Sequence, residues 1–241
     1  MEVFTLKQKL RIFMDYFTET ELKLWFSSVG LILMAFFMFD RVNYLTLTAS
    51  LIGVTSLIFN AKGNPFGQFL MIIFSILYGI ISYRFAYYGE MATYLGMTAP
   101  MALVALVTWL KNPYDGKSLE VEVKRLSKEE FIRMLVFNAL VTGIFYFILR
   151  ALGTANIVPS TISVATSFFA VYLTYKRSAY YAIAYAANDI ILIILWVLAS
   201  IQDVSYLSVV ICFAIFLIND CYGFINWNRM RAHQEKNPTF T

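Results

Sequence analysis

Residues 179–200 read AYYAIAYAANDIILIILWVLAS, a long apolar run with a single charge, Asp189. At about 1.5 Å per residue, a helix of this length crosses the ~30 Å hydrocarbon core of a bilayer. Working outward from it, the chain holds eight such stretches, at about 22–39, 43–60, 65–86, 91–110, 131–151, 156–175, 179–200 and 205–227. Short breaks separate them: DRV, AKGNP, YYGE, LGT, KRS and IQDV. One connection is longer and charged, KNPYDGKSLEVEVKRLSKEE at 111–130. The runs are continuous, so they read as helices and not as the short alternating segments of a β-barrel.

Composition agrees. Of 241 residues, 60% are hydrophobic, 17% aromatic and 14% charged, and the mean hydropathy is +0.67. A soluble domain carries roughly 25% charged residues. The expected fold class is an all-α integral membrane protein with eight transmembrane helices. The N-terminal sequence MEVFTLKQKLRIFMDYFTETE lacks the short apolar core and small-residue cleavage site of a signal peptide, and reads as an amphipathic lead-in at the membrane surface.

The net charge of +4 is not a nucleic-acid signal here, because cytoplasmic loops of membrane proteins collect basic residues. With the N-terminus inside, 16 of the 19 basic residues fall on the inner side, and only Arg41, Arg84 and Arg150 fall at the outer. Both termini are expected in the cytoplasm. Cys212 and Cys221 lie in one apolar stretch and read as small buried residues without a disulfide. His233 is the single histidine, so no histidine metal site is expected, and no cofactor is implied.

Two three-span stretches resemble each other, from about Leu45 to Asn112 and from about Thr161 to Met230. Each opens with a Thr-Ser pair, Thr55-Ser56 and Thr166-Ser167. Each ends on tryptophan and a basic residue, Trp109-Leu-Lys111 and Trp227-Asn-Arg229. The span at 131–151 joins them, which gives both the same orientation and makes a parallel repeat. The expected organisation is 1 + 3 + 1 + 3. Residues 1–42 form the lead-in and an extra helix, 43–112 the first repeat, 113–155 a cytoplasmic loop and linker helix, 156–230 the second repeat, and 231–241 a tail. Aromatic-belt anchoring is the default reading of Trp109 and Trp227.

Charges at membrane depth are costly and mark function or a paired site. Asp189 and Asp220 sit within spans, each after an asparagine, in AYAANDIILIILW and FLINDCYGFINW. Tyr181, Tyr185 and Asn188 share a helix face, as do Asp189 and Trp196. In the last span Asn219 aligns with Tyr222 and Asn226, and Asp220 with Trp227. These amides, carboxylates, phenols and indoles suit a small, uncharged, aromatic, hydroxylated ligand. Read structurally, the same Asn-Asp pairs lock two helices together. In the first repeat Gln68, Ser75 and Ser82 share a face with Tyr78 adjacent. That row either lines the other half of a cavity or packs helices through small residues. Tyr87, Tyr88 and Glu90 are expected in an outer turn served by Gly89, and Pro100 is expected to perturb its span.

The segments NPFG…YYGEM…TWLKNP, NDIILIILW and FLINDCYGFINW, with the repeat plan, resemble the PnuC family of bacterial vitamin transporters over roughly residues 43–230. That resemblance implies a SWEET-like fold, alternating access and facilitated diffusion of a nicotinamide riboside-like vitamin or nucleoside, trapped inside by a cytoplasmic kinase. It also implies a location in the bacterial cytoplasmic membrane and a homotrimer. Asn188 matches the family's substrate-binding asparagine, and Asn219 a polar position in its last span. Where typical members have tryptophans seven and four residues before that asparagine, this chain has Tyr181 and Ala184. The exact cargo stays open among nicotinamide riboside, thiamine, riboflavin and deoxynucleosides.

The expected substrate-binding set is Asn188, Asp189, Trp196, Asn219, Asp220, Tyr222, Tyr181, Tyr185, Gln68 and Tyr78. A proton-coupled transporter using Asp189 and Asp220 is the main alternative. A membrane-embedded enzyme is disfavoured: no span contains histidine, a Gly-flanked serine motif or metal-ligand spacing, and only the two aspartates resemble an acid-protease dyad. A structural or sensory subunit is the remaining class, for which no interaction domain is evident.

Overall fold

The computed structural model describes residues 16–85, 87–116 and 119–237. Most of the lead-in, with Lys7, Lys9 and Arg11, lies outside them, as do Lys117 and the last four residues. Eight helices make up most of the described chain: α1 Glu19–Asp40, α2 Tyr44–Ala61, α3 Pro65–Arg84, α4 Tyr88–Lys111, α5 Lys128–Ala151, α6 Ile157–Tyr175, α7 Tyr181–Ser200 and α8 Val204–Lys236. All eight are long and apolar enough to span a bilayer. Among the described residues no strand forms beyond one isolated bridge, Pro113 with Val121. The protein is an all-helical, multi-pass membrane protein.

Two boundaries differ from expectation. Helix α4 begins at Tyr88, so Glu90 lies in the helix and not in a turn. Helix α8 runs on past Trp227 to Lys236, because its polar extension has partners in the loop before α5. Gln234 bonds Glu120 and the Val121 carbonyl, and Arg125 makes a two-pronged bond to Glu235 at 2.7 and 2.9 Å. Ahead of Pro100, residues Tyr94–Thr98 widen into a π-helical turn. A proline has no N–H to offer the preceding turn, and a π-turn is one way a helix absorbs that.

Helices α1 and α5 start in the same way. Thr18 and Ser127 each cap their helix and receive the reciprocal carboxylate of Glu21 and Glu130, three residues on. Each carboxylate then reaches a lysine in the turn after the next helix. Lys62 lies 3.1 Å from Glu21 and Lys176 lies 2.9 Å from Glu130. Both turns use a positive-φ residue, Gly63 and Arg177. At Gly63 the positive φ of 65° favours glycine, and a Cβ would push aside only the flexible end of Met230.

Packing follows one scheme in both halves. Helix α3 packs on α2 and α4, and α7 packs on α6 and α8. The last helix of each group crosses to the first of the other, α8 onto α2 and α4 onto α6. At these crossings the two tryptophans exchange equivalent bonds. Trp109 Nε1 donates to the Thr174 carbonyl at 3.0 Å, and Trp227 Nε1 donates to the Asn60 carbonyl at 2.7 Å. Both indoles are fully buried and their rings lie 5.3 Å apart, so they are core residues and not belt anchors. Cys212 is buried as expected, whereas Cys221 is exposed on the outside of the bundle.

The end of the bundle that holds these turns also holds the ion pairs of Lys62, Lys124, Arg125, Lys176 and Arg177; we call it the basic end. Glu21→Gln and Glu130→Gln each weaken a cap and strand a lysine. Each is expected to destabilise the detergent-solubilised protein by about 2 kcal/mol. Glu19→Gln, at an exposed pair with Lys23, is expected to change it by less than about 0.5 kcal/mol. A thermal melt followed by size-exclusion fluorescence checks this, and equal melting of all three variants contradicts it.

Candidate functional site

Between the two ends of the bundle lies a belt of buried polar side chains. Its centre is Asn188 on α7, 1% exposed. Asn188 Oδ1 sits 2.8 Å from the Thr166 hydroxyl, 3.0 Å from Ser167 and 3.3 Å from Ser163, all on α6. The Thr-Ser pair that marks the start of the second repeat thus serves as an oxygen-rich seat for this amide. Ser163 also lies 3.4 Å from Glu90 Oε2 on α4, which extends the belt across the crossing between the halves. Glu90 is 1% exposed, and its Oε1 has no partner.

Asp189 and Asp220, each 4% exposed, face one another between α7 and α8, within electrostatic reach of each other. Tyr185 lies within electrostatic reach of both. Other buried polar atoms in the belt and beside it have no partner: Asp189 Oδ2, Asn219 Oδ1, Gln68 Oε1 and the hydroxyls of Ser82, Thr93 and Thr98. Orphaned buried polar groups are rare in folded proteins and mark places where water or a ligand completes the bonding.

Aromatic layers close the belt on both sides. Toward the basic end, Trp109, Trp227 and Tyr181 stack together, with Tyr181 and Trp227 rings 4.7 Å apart. Toward the opposite end, fully buried Trp196 meets the rings of Tyr87, Phe85, Tyr206 and Tyr78 at 5.1 to 6.3 Å. Trp196 Nε1 donates to the Tyr78 hydroxyl at 2.7 Å, and the Tyr87 hydroxyl donates to the Leu195 carbonyl at 3.3 Å. A small cavity of about 10 Å³ lies on the far side of Tyr78, among Ser50, Phe74 and Phe213 of α2, α3 and α8.

The sequence-derived residues divide into groups. Asn188, Asp189, Asp220, Tyr185, Trp196 and Tyr78 meet in or beside the belt, and Tyr181 closes its basic side. Gln68 lies deeper toward the basic end, where its amide donates to Asn60 Oδ1 at 2.8 Å. Asn219 and Tyr222 share a face, but that face looks at α1. Asn219 donates to the Ser28 hydroxyl at 3.0 Å, and the Tyr222 hydroxyl donates to Glu21 at 3.1 Å. Asn226 continues the row by donating to the Ala61 carbonyl. Glu90 is the residue that sequence reading missed. A carboxylate at a helix start reads as a solvated cap, and only the packing of α6 over α4 buries it. Gly89 beside it serves that packing and no turn: a Cβ there would meet Leu149 at 2.9 Å and Thr154 at 3.1 Å.

The Trp196–Tyr78 bond joins the halves at the layer opposite the basic end. Trp196→Phe and Tyr78→Phe are each expected to cost about 1–2 kcal/mol, and the double variant to cost less than their sum by about 1 kcal/mol. A double-mutant cycle on thermal stability measures the coupling, and strict additivity contradicts it.

A family model described as nicotinamide mononucleotide transporter matches residues 43–229. The nicotinamide riboside transporter PnuC of Neisseria mucosa is 26% identical over 198 residues, covering 80% of this chain and 75% of that protein. The nicotinamide riboside transporter PnuC of Haemophilus influenzae is 21% identical over 189 residues, covering 78% of this chain and 80% of that protein. A crystal structure of the vitamin B3 transporter PnuC superposes with a TM-score of 0.81 at 24% identity, covering 95% of this chain and 99% of that one. That likeness identifies the fold. The relatives are transporters, and this chain is a transporter and not an enzyme. With most of its length matched, from α2 to the middle of α8, the protein belongs to the nicotinamide mononucleotide transporter family, the PnuC membrane transporters.

Proposed function

We propose that the protein carries a nicotinamide riboside-like pyridine nucleoside into the bacterial cytoplasm by facilitated diffusion. One observation carries the reading: a belt of buried, partly orphaned polar groups lies between two aromatic layers, where the halves of the molecule meet. Its relatives are named for nicotinamide riboside. A nucleoside supplies the complementary chemistry, with a flat ring for stacking and ribose hydroxyls for the amide and carboxylates.

In this reading the organisation is 1 + 3 + 1 + 3, with SWEET-like parallel repeats at 43–112 and 156–230. The reciprocal tryptophan bonds and the matching Glu–Lys contacts support it. The basic end is cytoplasmic, as the excess of lysine and arginine there favours, and both termini lie on that side. Residues 1–42, 113–155 and 231–241 serve as lead-in with extra helix, loop with linker helix, and tail. Asn188, Asp189, Asp220, Tyr185, Tyr78 and Trp196 contact the cargo, with Tyr181, Gln68, Asn219 and Tyr222 outside that first layer. The cargo enters when the layer around Trp196 parts and leaves when the Trp109–Trp227 layer parts. Each indole bond lost to water costs only about 1 kcal/mol net, a modest barrier between two closed arrangements. Phosphorylation by a cytoplasmic kinase then traps the cargo, and the transporter works as a homotrimer.

The purified protein in proteoliposomes, without an ion gradient, is expected to take up labelled nicotinamide riboside saturably. Asn188→Ala is expected to raise the half-saturation concentration about tenfold or more, equal to about 1.4 kcal/mol of lost binding. Unlabelled thiamine, riboflavin and deoxynucleosides are expected to compete weakly. Absence of saturable uptake for all of these cargoes overturns the transport reading, and stronger competition by one of them reassigns the cargo.

A second reading, proton-coupled transport, rests on the facing carboxyls of Asp189 and Asp220. Facilitated diffusion requires that collapsing a pH gradient leave the uptake rate unchanged, in the wild type and in Asp189→Asn alike. Uptake that concentrates cargo against its gradient only with an imposed pH difference favours the coupled reading instead.

A further inference from the structure

Five acidic residues are buried among the described residues, Glu21, Glu90, Glu130, Asp189 and Asp220, and no lysine or arginine is buried with them. Glu21 and Glu130 have lysines in contact. Asp189 and Asp220 lie against each other, a pair of like groups that a single shared proton can satisfy. Glu90 has one hydroxyl, Ser163, at 3.4 Å on Oε2 and nothing on Oε1. An isolated carboxylate in an apolar interior is among the most expensive groups a protein can bury, unless it takes up a proton or something of opposite charge comes to it.

Its surroundings say what that something is. The Tyr78, Tyr87 and Tyr94 side chains lie within electrostatic reach of Glu90. The rings of Tyr78 and Tyr94 meet edge to face, 4.4 Å between centroids. One turn further along α4, the Thr93 hydroxyl is buried without a partner. A carboxylate among tyrosine rings is an environment that recognises a flat organic cation, by charge pairing and by cation–π attraction. Through Ser163 the group is also linked to Asn188, the centre of the belt.

We infer that Glu90 is the counter-charge for a permanently cationic ring in the cargo, and that it selects charged pyridinium nucleosides over neutral nucleosides. This rests on the cargo reading above and sharpens it. In a nicotinamide riboside the glycosidic bond makes the ring nitrogen quaternary, so the ring carries a positive charge that no change of pH removes. The reduced, dihydro form has nearly the same shape and no charge. A neutral ring leaves Glu90 uncompensated, whereas the pyridinium pairs with it on arrival. Glu90 therefore acts as a specificity filter that the Asn188 seat, which reads hydroxyls and amides, does not supply.

The test compares the two oxidation states of one nucleoside on the full-length protein in nanodiscs, by calorimetric titration. The wild type is expected to bind nicotinamide riboside at least about tenfold more tightly than its dihydro form, equal to about 1.4 kcal/mol. Glu90→Gln is expected to lose about tenfold for the cation while keeping the affinity for the neutral form, which also reports that the variant is folded. Glu90→Asp, which keeps the charge but withdraws it by one methylene, is expected to fall between. A wild type that does not prefer the cation overturns the inference, whatever the variants do. So does a Glu90→Gln variant whose preference is unchanged, whether both affinities fall together or neither moves. If the wild type binds neither form, the cargo reading itself fails and this inference with it, a result distinct from binding without charge preference.

Discussion

Two indole hydrogen bonds tie the halves of this protein together at the basic end, and their location follows from what a membrane allows. Within lipid nearly every backbone polar group is already spent inside its own helix. Carbonyls without a partner four residues on occur in the last turn of each helix; those of Asn60 and Thr174 accept the N–H of Gly63 and Arg177 and keep a second lone pair. Asn60 and Thr174 lie in the last turns of α2 and α6, and Trp227 and Trp109 from the opposite halves take those carbonyls. An indole is well suited to this, since it brings a large apolar body and a single donor. The bonds are neutral and short, and their loss to water costs little. A contact with those properties ties two bodies together without welding them.

The same economy appears in the two Glu–Lys contacts at the basic end. Each glutamate first completes a helix cap and then meets a lysine from the next turn, so one carboxylate satisfies two needs. These pairs stand at the rim, where water reaches the lysines in part. The belt at mid-depth is built differently. Its acids have no basic neighbours, its amide rests on hydroxyls, and several of its polar atoms have no partner. Stability is concentrated at the basic end, and unsatisfied bonding capacity at the centre. That division is what a carrier requires, because a fully satisfied centre has nothing left to offer a passing cargo.

The aromatic layers complete the logic. Trp196 joins α7 to Tyr78 of the other half, while Tyr181 and the tryptophan pair close the opposite side. Both layers are shut in this structure, and the polar belt lies between them. In the proposed cycle, movement of one layer at a time exposes the belt to one side only, and the rings of each layer meet edge to face or tilted, contacts that slide more readily than ion pairs break.

Much of this was legible in the amino-acid order. Apolar run length determined eight helices, since nothing shorter crosses the hydrocarbon and nothing so apolar is stable in water. Asparagine and aspartate inside those runs marked the belt, because polar groups survive at that depth only for a reason. What periodicity cannot state is which neighbour covers a given face. Asn219 and Tyr222 share a stripe on α8 that tertiary packing turns toward α1 and away from Asn188. Trp109 and Trp227 read as surface anchors until the crossing of α4 on α6 and α8 on α2 buried them. Glu90 reads as a turn residue, and only the seating of α6 against the start of α4 makes it a buried charge. Solvent preference is a property of each residue and is written in the chain, whereas the cost of a charge depends on what surrounds it, and only the folded packing supplies that.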